Sequence, residues 1–362
     1  MHSTNHSPSS DLEQKVDLDQ SSGFIILPEI LVKGFNHLPA EQLGVSQRGG
    51  AIVTLTRSKF GAAKPPAGET MKVLVIGATG RVGNEVVRAL LQRGAGVRAF
   101  ARKQPKPGLL PEAVEVALGD LGDPVSVAEA MKGADKLFLL IGREGVPVEL
   151  TQAVTAYGLA KKAGLKHVTF VSVFKADQFL EVPHFANKNA VEEAIRAGGM
   201  SYTILRPAYF AQNERSFKSE LTGLGVYPIP AGNQGLAVVD VRDLAEAAAI
   251  SLTEDGHNGK TYDLVSSEML IGPDATATWS KLLGKQISYV GHADFDGFEA
   301  ELREKGSPSW LAWDLRIMFQ GFIERGFSNT EVQTAQFAAL LGHQPRTYGS
   351  FAEELAKEWA AA

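Results

Sequence analysis

Downstream of residue 70 the apolar positions alternate between two patterns. Short runs that are apolar almost without a break suit strands buried on both faces. Longer stretches with apolar residues three and four apart suit helices with one buried side. The runs at 72–76, 97–101, 114–117, 136–141, 167–171 and 202–205 predict six strands. Helices are predicted from residue 82 onward, at 126–131, at 148–163 and at 185–197. The first carries Val82, Val86, Val87, Leu90 and Leu91 on one side. Gly94, Gly164 and Gly198 stand where three of these helices should stop. This alternation predicts an α/β chain built on a doubly wound parallel sheet.

The texture then loosens. Residues 224–235 are rich in Gly and Pro and read as loop. Strands are predicted at 237–241 and 261–265, with an alanine-rich helix between them, capped by Asp243 and ending at 252. Helices follow at 275–283, 298–305, 310–322, 332–341 and 350–359. A small helix-rich C-terminal region laid over the sheet's carboxyl edge makes one wall of a cleft. Open α/β sheets bind their ligands at that edge. The expected division is therefore 71–213 for most of the sheet core, and 214–362 for the substrate region and returning strands.

Residues 1–70 are different. The first 22 are polar and have little to bury, which predicts disorder. A short strand is possible at 51–56, and 61–68 reads as a linker. Met71 directly precedes the first convincing strand, so 1–70 is expected to be a dispensable extension or an upstream artefact of start assignment, with a regulatory arm as the alternative.

Composition narrows the classes. The chain has 362 residues, 44% of them hydrophobic and 21% charged, with a net charge of −5. That is long enough for a sizeable core, and neither the charge nor any basic run supports nucleic-acid binding. There is no cysteine, which removes disulfides, thiolate chemistry and cysteine zinc sites. No metal site is expected. No apolar run reaches membrane-spanning length. The run at 24–27 is too short for a signal core and follows Asp11, Glu13, Asp17 and Asp19 where a signal would be basic. The expected location is cytoplasmic, and oligomeric state is open.

The candidate chemistry starts where the first strand meets its helix, at Gly77-Ala78-Thr79-Gly80-Arg81-Val82-Gly83. Glycines there let the turn be tight and let backbone approach a pyrophosphate, which the helix's free N–H groups and positive end then hold. The spacing is G-x-x-G-x-x-G rather than the usual G-x-G-x-x-G. A site for NAD places an acid about 20 residues further on, at the ribose 2′-hydroxyl. Here no acid occurs between Glu85 and Glu112, and the second strand contains Arg98 and ends in Arg102-Lys103. A guanidinium can bind a 2′-phosphate through two hydrogen bonds where a carboxylate would repel it. The expected cofactor is NADP(H), with Arg81 as a further cation.

Other candidates follow the later strands. Asp120 and Leu121 stand where an adenine edge could be met, or form a plain turn. Ser172 can bond the nicotinamide ribose or substrate, or satisfy backbone alone. His184 and Lys188 lie four apart at a helix start, hence on one face. Lys188 can hold the ribose hydroxyls and His184 can give a proton; a surface His and Lys is the plain alternative. Pro207 fixes a loop that can lie beside the nicotinamide, with Ala208 next to it. Tyr209 or Phe210 can pack on the ring or line the pocket, and one of them is expected to be ordinary core.

Taken together, GATGRVG, Arg102-Lys103, Gly119-Asp120-Leu121, the Lys188 helix followed by YTILRPAYFAQN, and VVDVRDLAEAAA near Asp240 resemble the NmrA-like branch of the atypical short-chain dehydrogenase/reductases. The resemblance runs from Met71 to the PRTYGSFAEELAKEW ending. It implies a Rossmann domain binding NAD(P), with Gly77, Thr79, Gly80, Arg81, Val82 and Gly83 at the phosphates. It also implies Arg102 and Lys103 at the 2′-phosphate, and Lys188 and the Pro207 loop beside the nicotinamide. Typical short-chain dehydrogenases use Ser with Tyr-x-x-x-Lys; here His184 stands where that Tyr would be. The implied activity is hydride transfer from NADPH to a small quinone-, enone- or imine-like acceptor, which can take its proton from water. The alternatives are an NADP(H)-sensing regulator without turnover, acting through a protein partner, and a fold relic without cofactor. Neither membrane nor nucleic acid is an expected partner.

Overall fold

The structure is a computed structural model that describes residues 70–142, 145–291 and 294–361. The strand at 51–56 and the linker at 61–68 lie outside the described residues. From Lys72 the chain runs β1 (Lys72–Ile76), α1 (Arg81–Gln92), β2 (Gly96–Ala101), β3 (Glu115–Leu118), α2 (Pro124–Met131), β4 (Lys136–Leu139), α3 (Val146–Lys162), β5 (His167–Val171), α4 (Pro183–Ala197) and β6 (Tyr202–Pro207). A two-residue strand, β7 (Tyr209–Phe210), leads into a 3₁₀ segment (Ala211–Phe217) and a π-helical turn (Ser219–Leu224). Then come β8 (Val226–Tyr227), β9 (Leu236–Val239), α5 (Val241–Thr253), β10 (Lys260–Leu264) and β11 (Met269–Leu270). The chain closes with α6 (Gly272–Leu283), β12 (Ser288–Tyr289), α7 (Phe295–Glu304), α8 (Ser309–Arg325), α9 (Glu331–Leu341) and α10 (Tyr348–Ala361).

Seven strands form one parallel sheet in the order β10-β6-β5-β4-β1-β2-β3. The order reverses between β1 and β4, which is the switch point where such sheets open a crevice at their carboxyl ends. The central strands are buried on both faces: Val73, Leu74 and Val75 are inaccessible, as are Leu137, Phe138 and Leu139. This is the physical meaning of the unbroken apolar runs. On one face Val82, Val86, Val87 and Leu90 of α1 pack with Leu244, Ala248 and Leu252 of α5. On the other, Val127, Ala153, Ala156, Ala160, Val191 and Ile195 of α2, α3 and α4 cover Leu74, Ile76, Leu137 and Phe170.

The C-terminal region has its own core. Phe174, Phe179, Phe185, Phe322 and Phe327 pack edge-to-face there, and Trp279 stacks on Trp359. The strand expected at 237–241 forms as β9, which pairs with β7 and β11 in a separate three-stranded sheet, and β10 takes the edge beside β6. The α5 cap is corrected. Asp240, not Asp243, caps α5, accepting the Arg242 N–H at 2.8 Å. Asp243 lies a turn further in, fully buried, and accepts the Arg346 backbone N–H at 2.6 Å and its guanidinium. The acid at the helix start is the cap because its side chain can fold back on the free first-turn N–H groups.

Candidate active site

The glycine turn sits at the carboxyl end of β1, next to the switch point. Gly77 has φ 88°, which suits a residue without a Cβ, and a Cβ there would lie 2.9 Å from the Leu140 carbonyl oxygen. The Gly80 N–H donates to the Gly77 carbonyl at 3.1 Å and closes the turn. A Cβ at Gly83 would fall inside the Gly77 carbonyl group. Gly80 is the N-cap of α1 and has no side chain with which to cap it, and the first turn carries no acid. Its leading N–H groups are therefore available to an anion. The Val82 side chain is buried in the core, so its contribution to a ligand would be its backbone N–H. Arg81 extends from the turn and donates to the Gln212 carbonyl at 2.8 Å, bracing the 3₁₀ segment.

Arg102 and Lys103 follow the last residue of β2 directly and are exposed at the same sheet edge. Arg98 is not part of this group. It donates to Glu115 at 2.8 Å and to the carbonyls of Ala130 and Lys132, which makes it a brace between β2, β3 and α2. Asp120 closes a local turn, its Oδ1 accepting the Gly122 N–H at 2.7 Å. Leu121 is half-buried and borders an open groove with Pro124, Pro147, Val148 and Thr151.

Ser172 departs from expectation. It is inaccessible, and its hydroxyl donates to Glu192 Oε1 at 2.5 Å. Glu192 is in turn held by Arg206 at 2.7 and 2.8 Å and by Arg196 at 3.0 Å. The Ser172 hydroxyl is thus part of a buried ionic core between α4 and β6 and presents no surface to a ribose. Pro207 is likewise not a loop residue. It ends β6 in register with Leu264, and its carbonyl accepts the Phe174 N–H at 2.9 Å. Ala208 alone separates it from β7.

Beyond β6 the chain forms one wall of an apolar pocket. Ala208, Tyr209, Phe210, Asn213 and Phe217 face Met318, Phe319 and Phe322 of α8, with Phe327, Val173, Phe185 and His184 completing the lining. His184 is held firmly. Its backbone N–H donates to Asp314 Oδ1 at 2.9 Å, and its Nδ1 is 2.5 Å from Asp314 Oδ2. Lys188 shares the helix but meets other neighbours. Its Nζ donates to the Ile141 carbonyl at 2.5 Å, lies 3.8 Å from Glu149 Oε2, and sits 5.6 Å from the centre of the Phe170 ring. Burial lowers the pKa of this ammonium, and the Glu149 charge opposes that shift. Four-residue spacing thus puts both side chains on α4 but does not bring them to one partner: Lys188 addresses the end of β4, His184 the pocket and α8.

A sequence model of the NmrA-like family matches residues 69–351. The chain belongs to the NmrA-like family. Among NmrA-like relatives, it is 29% identical over 221 residues to an NAD(P)H azoreductase of Xenophilus azovorans, covering 60% of this chain and 76% of the other. It superposes on the NADPH complex of an NADPH-dependent quinone oxidoreductase from Escherichia coli with TM-score 0.69 and 26% identity, covering 78% of this chain and 99% of that one. It also superposes on the triphenylmethane reductase of Citrobacter sp. with TM-score 0.70 and 26% identity, covering 79% and 100%.

In this NmrA-like chain the pocket rests on residues that motif reading passed over. Asp314 is buried, four residues before Met318 on the apolar side of α8. A lone acid on a buried helical face was the available signal. Glu214 is another. It is inaccessible, its Oε1 accepts the Tyr227 hydroxyl at 3.1 Å, and its Oε2 has no hydrogen-bond partner among the described residues. Burial raises its pKa from the usual 4.5 to about 8, against the opposing pull of the Tyr227 hydroxyl.

Between those two pH values the folded state keeps a proton that the unfolded chain has released, so stability falls as pH rises through that window. Glu214→Gln, which mimics the protonated acid, is expected to flatten this slope. Urea unfolding at pH 5.5 and pH 8 is the measurement, and an unchanged slope would show that other groups set it.

Proposed function

We propose that this protein is an NADP(H)-dependent reductase that passes hydride to a small apolar acceptor of quinone, enone or imine type. One observation carries the reading. Ala208, Tyr209 and Phe210, which leave the sheet's carboxyl edge after β6, are also the wall of the apolar pocket under α8. A dinucleotide along that edge and an acceptor in the pocket would share a boundary. The names of the quinone oxidoreductase and azoreductase relatives support the same class of chemistry.

The residues fit the cofactor, since the turn has no room for a Cβ at Gly83 and the N-cap of α1 is a glycine with no side chain to cap the helix. In this reading Gly77, Thr79, Gly80, Arg81, Val82 and Gly83 hold the pyrophosphate. Arg102 and Lys103 take the 2′-phosphate, and Asp120 and Leu121 border the adenine. Pro207, Ala208 and Phe210 flank the nicotinamide. When bound, the dihydronicotinamide supplies the hydride. Lys188, pinned near the end of β4, orients the ribose side, and His184 faces the acceptor as proton donor. The apolar lining keeps water from the reacting atoms.

The test is NADPH oxidation by the full chain with a panel of quinones, enones and imines. Turnover on one class supports the proposal and names the acceptor. NADPH binding without turnover on any acceptor, together with a co-purifying protein, would replace it with the cofactor-sensing reading. The cofactor choice has its own check. A charge-assisted hydrogen bond contributes about 1.5–3 kcal/mol, so Arg102→Glu with Lys103→Glu should weaken NADPH by roughly ten- to a hundredfold and leave NADH nearly unchanged. Equal loss for both dinucleotides in fluorescence titrations would take these residues away from the 2′-phosphate.

A further inference from the structure

The Asp314 carboxylate contacts α4 twice: Oδ1 accepts the His184 backbone N–H at 2.9 Å, and Oδ2 lies 2.5 Å from His184 Nδ1. Asp314 is 1% exposed, whereas the His184 side chain keeps 17% of its surface and lines the pocket. α4 begins at Pro183 with Val182 as N-cap and has no side-chain cap of its own. Asp314 therefore serves as a cap supplied from another helix, and in the same grip it fixes the imidazole.

A carboxylate can only accept at Oδ2, so the proton between the two groups belongs to Nδ1. That leaves Nε2 as the ring nitrogen able to face the pocket. We propose that Asp314 is the positioning residue of a His184–Asp314 pair that protonates the reduced acceptor from Nε2. This inference deepens the reductase reading and rests on it.

Hydride from the dihydronicotinamide adds its two electrons to one end of a C=X or conjugated double bond of the acceptor. The electron pair of that bond moves to the heteroatom at the other end. His184, as imidazolium, breaks its Nε2–H bond and gives that proton to the heteroatom. It remains as the neutral imidazole with hydrogen on Nδ1, still bonded to Asp314, and is reprotonated by solvent before the next turnover. Asp314 gains no proton in the cycle; it sets the tautomer and the ring's direction. The C-terminal region thereby supplies part of the chemistry as well as the wall of the pocket.

Asp314→Asn separates this role from simple capping. Its amide oxygen can still accept the His184 backbone N–H, but its NH₂ must donate to Nδ1. The neutral ring then carries its hydrogen on Nε2. Expected for the full chain with NADPH and a quinone it reduces is a fall in kcat of about a hundredfold or more, the usual range for a lost general acid. The KM for NADPH should stay near that of the wild type. At a pH where the ring is neutral, ¹⁵N NMR of the ring nitrogens should show its one hydrogen on Nδ1 in the wild type and on Nε2 in the variant.

If Asp314→Asn does not fold, His184→Ala with added imidazole decides. Restored turnover supports the pair; no restoration in a folded, NADPH-binding variant overturns it. An unchanged kcat in Asp314→Asn, or a neutral wild-type ring with its one hydrogen on Nε2, overturns the pair and leaves the reductase reading standing. No NADPH oxidation by the wild type on any acceptor removes both.

Discussion

Gly83→Ala is expected to abolish tight binding of NADPH and to lower the stability of the fold. The added Cβ would overlap the Gly77 carbonyl group and press on the Ala78 Cα, both backbone positions that cannot rotate away. Relief requires α1 to move outward from β1. Val82, Val86, Val87 and Leu90 are all buried in that contact, so the movement opens the core beneath the helix. Overpacking of this kind typically costs about 1–3 kcal/mol. The larger loss is functional. The N-terminus of α1 is the proposed phosphate site, and a shift of about 1 Å in such a site can cost a hundredfold. Fluorescence titration and thermal melts measure the two effects separately. Undiminished NADPH affinity would show that the dinucleotide does not rest on this turn.

Lys188→Met is the second large effect. The ammonium is buried, donates to the Ile141 carbonyl at 2.5 Å and faces Glu149 at 3.8 Å. Methionine keeps much of the volume and removes the charge and the donors. Taking one partner from a buried pair generally costs about 3–5 kcal/mol, and the loose spacing here argues for the lower end. Turnover should fall on the order of a hundredfold, because the ribose side loses its anchor. Adding Glu149→Gln separates the two losses. The double variant is expected to regain stability, since no buried carboxylate then faces an apolar side chain, while turnover stays low. A double variant that regains both would make Lys188 a structural residue.

Much of this fold is written locally. The run Lys72–Ile76 needs no distant information to be a buried strand, because each residue is apolar or leads straight into apolar neighbours. Gly77, Gly80 and Gly83 were legible as a turn for the same reason: a positive φ and a helix start without room for a Cβ are properties of a few adjacent residues. Boundaries and caps were less secure. Asp243 has the chemistry of a cap as fully as Asp240 does. Which acid sits at the first turn depends on where β9 releases the chain, and the contact that claims Asp243 comes from Arg346, about a hundred residues later.

The candidate site divides along the same line. Gly77, Gly83, Arg102, Lys103 and His184 could be singled out from their own neighbourhoods. Ser172 could not be judged, because its surroundings are made by Glu192 and Arg206 arriving from two other elements. The fate of the run at 237–241 was also beyond reach. LAVV is fully buried wherever it pairs, and the small sheet with β7 and β11 satisfies its backbone as well as the large one would have.

What the amino-acid order determined alone was therefore the alternation of strands and helices, the glycine turn after β1, and the absence of an acid at the end of β2. Each follows from spacing and residue type within a single element. What tertiary structure decided was the pocket and its chemistry: α8 laid over the loop after β6, Asp314 placed against His184, and Lys188 drawn toward β4 instead of toward its helical neighbour. Those depend on which distant side chain supplies a hydrogen bond or a counter-charge, and that choice is settled only when the packed layers bring the elements together.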